Sequence, residues 1–106
     1  MSVAKVVTAS GDLVIPEQSI IYGIHINIEI DPTGSGMSSV GNVTLFNAAT
    51  QAAGTATNTV INCPFFSGEP KLFSYIFPAG IRCLKGGSIT IQAGGADAVN
   101  VTIDYS

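Results

Sequence analysis

Residues 19–31 read SIIYGIHINIEID. Ile20, Tyr22, Ile24, Ile26, Ile28 and Ile30 recur at every second position, and Ile21, Gly23, His25, Asn27, Glu29 and Asp31 fill the gaps. A period of two sends alternate side chains to opposite faces of a strand, so this stretch reads as a half-buried β-strand with its isoleucines inward. Isoleucine is branched at Cβ, which favours the extended chain over a helix. Gly23 offers no side chain to either face and predicts a bulge or bend. The run stops at Asp31-Pro32, and DPTGSGMSS (31–39) supplies turn residues.

The same alternation extends in both directions. VGNVTLFNA (40–48) sets Val43 and Leu45 against Asn42, Thr44 and Phe46. TNTVINCPFF (57–66) reads as a strand ending near Pro64, and SITIQA (88–93) alternates again. AVNVTIDYS (98–106) places Val99, Val101, Ile103 and Tyr105 inward, with Asn100, Thr102 and Asp104 outward. KLFSYIF (71–77) is apolar on both faces, which predicts a strand covered on both sides. Pro78 and Gly80 predict a corner leading into a second short strand, AGIRC, and then a Gly86-Gly87 turn. AKVVTA and DLVI predict a hairpin across Ser10-Gly11, and FNAATQAAGTATN (46–58) a hairpin loop with one helical turn. No segment of helical length repeats its apolar residues at spacings of three and four. About eight strands joined by Gly, Pro and Asn turns therefore predict an all-β, antiparallel β-sandwich, jelly-roll or Ig-like, as a single domain over 1–106.

Composition narrows the functional classes. The chain is 46% hydrophobic and only 10% charged, with a mean hydropathy of +0.45 and a net charge of −3. An ordinary soluble domain carries about 25% charged residues. A surface built mainly from Ser, Thr, Asn and Gln predicts a protein that covers part of itself against copies or partners. Lys5, Lys71, Arg82 and Lys85 are dispersed, so nucleic-acid binding lacks an electrostatic basis, as does attraction to an anionic membrane surface. No stretch reaches the ~18 apolar residues of a membrane-spanning helix. The N-terminal MSVAKVVTASGDLVIP lacks the unbroken apolar core of a signal peptide, and synthesis in the cytoplasm is the expectation.

Candidate chemistry is sparse. His25, Asn27, Glu29 and Asp31 share one side of one strand, about 7 Å apart, where two of them could ligate a metal with help from a neighbouring strand. One histidine is too few for the His-rich metal centres of jelly-roll enzymes, and the expectation is a solvated or intersubunit face, with no metal or cofactor. Asp12, Glu17, Glu29, Asp31, Glu69, Asp97 and Asp104 are scattered, with no aromatic stripe to frame a glycosidase cleft. The GSG (34–36) and GGS (86–88) stretches are turn residues, not a nucleophile elbow or phosphate loop. Cys63 and Cys83 belong to no metal or redox spacing and read as buried thiols; a disulfide requires their strands to face each other. The NVT triplets at Asn42 and Asn100 read as strands showing Asn and Thr to solvent. No catalytic residue emerges, and an enzyme is not expected.

The stretch YIFPAGIRCLKGGSITI (75–91), followed by the terminal VTIDYS, is similar to small virion structural proteins of tailed bacteriophages. These sit on the head as decoration (cement) proteins or serve as tail accessories. The resemblance covers about the last third of the chain. It implies a β-sandwich that oligomerises, often as a trimer, and binds the major capsid protein or another virion protein. It implies no catalytic residues. The expected location is the virion, after synthesis in the host cytoplasm. A second expectation from another class is a carbohydrate-binding sandwich, lectin-like or a receptor-binding tip, with Tyr22, Phe46, Phe65, Phe66 and Tyr75 as a sugar platform. The lack of Trp weighs against it.

Overall fold

The computed structural model describes residues 2–29, 41–65, 71–92 and 98–106. Eight strands follow in order: β1 (Val3–Val7), β2 (Gly11–Ile15), β3 (Ser19–Glu29), β4 (Gly41–Asn47), β5 (Thr59–Phe65), β6 (Lys71–Cys83), β7 (Gly87–Gln92) and β8 (Ala98–Tyr105). Two four-stranded antiparallel sheets form, ordered β1-β8-β3-β6 and β2-β7-β4-β5. The all-β sandwich expected from the periodicity is the fold observed. Its pairings nest, 1 with 8, 2 with 7, 3 with 6 and 4 with 5. That is the path of one long hairpin rolled up, the winding of a jelly roll and not the sheet division of an Ig domain. The only helical elements described are two 3-10 turns, Gln51–Ala53 and Ala56–Asn58, in the β4–β5 hairpin loop.

The core lies between the sheets. Ile24, Ile26 and Ile28 of β3 and Val101 and Ile103 of β8 face Val43 and Leu45 of β4 and Ile89 of β7, all fully buried. Inward isoleucines are what an alternating strand dictates, but the alternation in β3 is not continuous. Ile21 is fully buried, Tyr22 is exposed and Ile24 is buried again. The register explains this: Ile21 opposes Tyr105 and Gly23 opposes Asp104, so Tyr22 is an extra residue with no partner on β8. This β-bulge turns the strand over by one position. Gly23 does mark a bulge; the consequence is that Ile20 and Tyr22 leave the inward row and Ile21 joins the core in their place. Ile30 and Asp31, the last members of the two rows, lie outside the described residues, as do the turn residues 31–39.

The same irregularity corrects the reading of 71–87. Pro78 and Gly80 do not separate two strands. On β6, Ile81 opposes Ile21 and Ile76 opposes Gly23, so Phe77–Gly80 bulge within a single thirteen-residue strand. Gly80 has φ +77, and a Cβ there would come within 2.5 Å of Ile20 Cγ2. Nor is 71–77 covered on both sides. Phe73, Tyr75 and Phe77 pack on the core, while Leu72 and Ile76 are 73% and 63% exposed. β6 is the outermost strand of its sheet, and among the described residues no second layer covers its outer face.

The expected hairpin across Ser10-Gly11 is replaced by a sheet crossing. β1 pairs with β8 and β2 with β7, so Thr8–Ser10 carries the chain from one sheet to the other. Residues Leu84–Gly86 do the same between β6 and β7, with Gly86 at φ +86 and its N–H bonded to the Cys83 carbonyl at 3.2 Å. β5 continues through Pro64 to Phe65, which an edge strand tolerates because one row of its N–H groups faces solvent.

Candidate functional site

Outward side chains of the β1-β8-β3-β6 sheet form cross-strand rows. One row runs Val6, Thr102, His25, Ser74 across β1, β8, β3 and β6. The next runs Ala4, Asp104, Gly23, Ile76. His25 lies at the centre. Its Nδ1 is 3.0 Å from the Ser74 hydroxyl, directly opposite on β6. Its Nε2 is 3.3 Å from Asp104 Oδ2 on β8. The Asp104 contact is diagonal, because Asp104 opposes Gly23, two residues before His25. A Cβ on Gly23 would lie 3.4 Å from Asp104 Oδ2 and 3.5 Å from His25 Nε2. Any longer side chain there would wedge between the two groups. Gly23 thus serves both the bulge and the contact beside it.

A serine, a histidine and an aspartate joined through the imidazole are the parts of a nucleophilic triad. The setting differs from that of a hydrolase. The His25 and Asp104 side chains are 35% and 38% exposed on an open face. The backbone groups of β3 are engaged in ladders on both of its sides, while β6, which carries Ser74, is paired on one side only. What the geometry performs is a polar clasp tying β3 to β6 and β8.

The other candidate residues disperse. Asn27 and Glu29 share His25's face and are exposed, and among the described residues no three His, Cys, Asp or Glu side chains gather as a metal site. Asp12 is spent structurally: its Oδ1 accepts the Gln51 N–H at 2.7 Å, at the start of the first 3-10 turn. Glu17 is exposed in the turn before β3. Glu69 and Asp97 lie outside the described residues. Asn42 and Thr44, like Asn100 and Thr102, are half-buried on the outward faces of β4 and β8. Of the five aromatics, Phe65 is in the core, Phe46 packs beneath Gly54, Tyr75 faces inward and Phe66 lies outside the described residues. Tyr22 alone of the described four is exposed, beside an open depression lined by Ser2, Asp104 and Ser106. The four described do not form one platform.

Cys63 and Cys83 are free and buried. Burial pushes the Cys83 thiol up from its ordinary pKa. Burial also raises Cys63, partly offset by a hydrogen bond from the Tyr75 hydroxyl that links β5 to β6 across the core. Tyr75 is raised in turn, first by that bond and then by its own burial.

Sequence reasoning picked out His25 but neither of its partners. Asp104 was legible only as outward-facing, and Ser74 as one small residue in an apolar run. Their meeting depends on pairing residues separated by 49 positions in one case and by most of the chain in the other. Comparison with known proteins returns no match: no family model fits the chain, and no curated protein or solved structure is significantly similar to it.

Proposed function

We propose that this chain is a non-enzymatic structural component of a virion, a head-decoration protein or tail accessory that works by binding copies of itself and a neighbouring protein lattice. One observation carries the reading: the outer face of the β1-β8-β3-β6 sheet keeps Val6, Leu72 and Ile76 at 60%, 73% and 63% exposure. A chain with four basic and seven acidic residues has little charge to keep such a face in water. Burial of these side chains against partners recovers about 25 cal/mol per Å² of apolar surface. Many weak copies of one contact on a lattice sum to tight attachment. The exposure of His25 and Asp104 on an open face, with no enclosed cleft around them among the described residues, fits a role without chemistry, and the jelly-roll winding is compatible with capsid use, though architecture by itself assigns no function.

The test is co-sedimentation of the purified chain with phage heads stripped of accessory proteins. The expected result is saturable binding that the exposed-face variant Leu72→Lys/Ile76→Lys weakens at least tenfold. Saturable binding to a glycan instead, lost in Tyr22→Ala, would favour the carbohydrate-binding reading, whose support is the Tyr22–Asp104–Ser106 depression.

A further inference from the structure

The four sheet edges of the sandwich are not alike. β1 is five residues long and carries Lys5. β2 is broken: Gly11 opposes Ile89 and Ile15 opposes Gly87, so four steps match two, with Leu13 at φ 46. β5 places Pro64 on its exposed side, where a ladder donor is missing. Each carries a device that discourages pairing with another chain: short length, charge, irregularity or proline. β6 carries none of them over Leu72–Phe77, where register with β3 is regular as far as Ile76 and every residue is uncharged.

We infer that the β6 edge is a two-fold docking strand for the β6 edge of a second copy, paired antiparallel about Ser74. The strand is self-complementary in that register. A dyad through Ser74 sets Leu72 opposite Ile76 of the second copy, Ser74 opposite Ser74, and Ile76 opposite Leu72. Directly opposed side chains share a face. The two most exposed apolar residues, Leu72 and Ile76, therefore cover each other twice on the outward face. Phe73 and Tyr75 alternate in the same way on the inward face. The pairing also stops where it should. The regular register of β6 with β3 ends at Ile76, and Pro78 within the following bulge has no N–H to offer. A one-residue slip would put Leu72 opposite Phe77 or Tyr75, on the wrong face of the alternation. The outward row then runs His25, Ser74, Ser74, His25 across two chains, so each clasp holds its strand at the contact.

This rests on the self-association in the proposed function and specifies it: a dyad closes as a pair, so the elementary unit is a dimer and not the trimer implied by the resemblance. The occupant is a second copy, by β-augmentation. The test is cysteine cross-linking in the full chain, with light scattering alongside. Opposed residues in an antiparallel pair have Cα atoms about 4.5–5.5 Å apart, within disulfide range, and the native thiols are buried. Ser74→Cys should give a covalent dimer under mild oxidation. Leu72→Cys mixed with Ile76→Cys should give a mixed dimer, with neither cross-linking by itself. Leu72→Lys/Ile76→Lys should shift the mass to monomer while leaving the unfolding transition within a few degrees. A wild-type monomer at high micromolar concentration overturns both this inference and the self-association beneath it. An oligomer in which Ser74→Cys does not cross-link overturns only the β6 dyad. Cross-linking of Ser74→Cys to lattice protein and not to itself assigns the edge to another partner and overturns the dyad as well.

Discussion

Gly23 and Asp104 are directly opposed on β3 and β8, and this pairing brings the Asp104 carboxylate within 3.3 Å of the His25 imidazole two residues further along β3. The glycine beside the bulge leaves room for this polar contact on an otherwise apolar and amide-rich face.

The clasp is open to water, so its contribution to stability is small. A solvent-exposed ion pair is worth about 0–1 kcal/mol. His25→Ala and Glu29→Ala should each change the unfolding free energy in urea by less than about 1 kcal/mol. Ile26→Ala, one residue away and fully buried, should cost about 2–5 kcal/mol through lost burial and the cavity left behind. If the two polar variants lose as much as Ile26→Ala, and a chelator reproduces that loss in the wild type, the outward row is a metal site.

Ser88 is a buried hydroxyl with both its roles filled. It donates to the Ala48 carbonyl at 2.8 Å and accepts the Leu13 N–H at 3.1 Å, at the irregular part of β2. Ser88→Ala removes both partners while the groups stay in place. Leaving buried groups unpaired costs about 1–3 kcal/mol, and thermal unfolding should register that loss. Thr90→Ala, whose Oγ1 bonds Gln51 at 3.1 Å in a more open setting, should cost less.

Gly86 holds the crossing from β6 to β7. Its φ of +86 lies in the left-handed region, and a Cβ would approach the Ile15 carbonyl oxygen to 2.9 Å. Gly86→Ala should therefore destabilise the fold by about 1–3 kcal/mol, read as a lower urea midpoint with an unchanged slope. An unchanged midpoint would show that the turn does not need this conformation.

Cys63, Tyr75 and Cys83 give stability an alkaline limit. In the unfolded chain the thiols release protons near their ordinary value, about 8.5. In the folded chain burial holds those protons to higher pH. Through that window the unfolded state binds fewer protons, so stability that is complete below it falls as pH rises through it. Urea midpoints should hold at neutral pH and fall above it, and less steeply in Cys83→Ala once its lower baseline is allowed for. A disulfide reagent should leave both thiols untouched in the native protein and label two in denaturant.

Strand identity and facing were legible locally. The alternation of Val43 and Leu45 with Asn42 and Thr44, or of Val101 and Ile103 with Asn100 and Thr102, is a property of neighbouring residues, and the pleat converts it directly into a buried and an open face. That is why the all-β sandwich, the inward isoleucines and the outward His25 follow from the chain by itself. The sequence also marked Gly23 as an irregularity, without saying which way the chain would turn there. What only the tertiary structure decided is everything that depends on partners distant in the chain. Whether Thr8–Ser10 closes a hairpin or crosses between sheets is set by β8 and β7, which compete for β1 and β2 from the other end of the molecule. The bulge at Tyr22 moves Ile21 into the core because Tyr105 and Asp104 fix the register on either side of it. Ser74 and Asp104 reach His25 for the same reason: side-chain alternation is a local consequence of backbone geometry, while register and sheet order are settled by the joint packing of the two sheets.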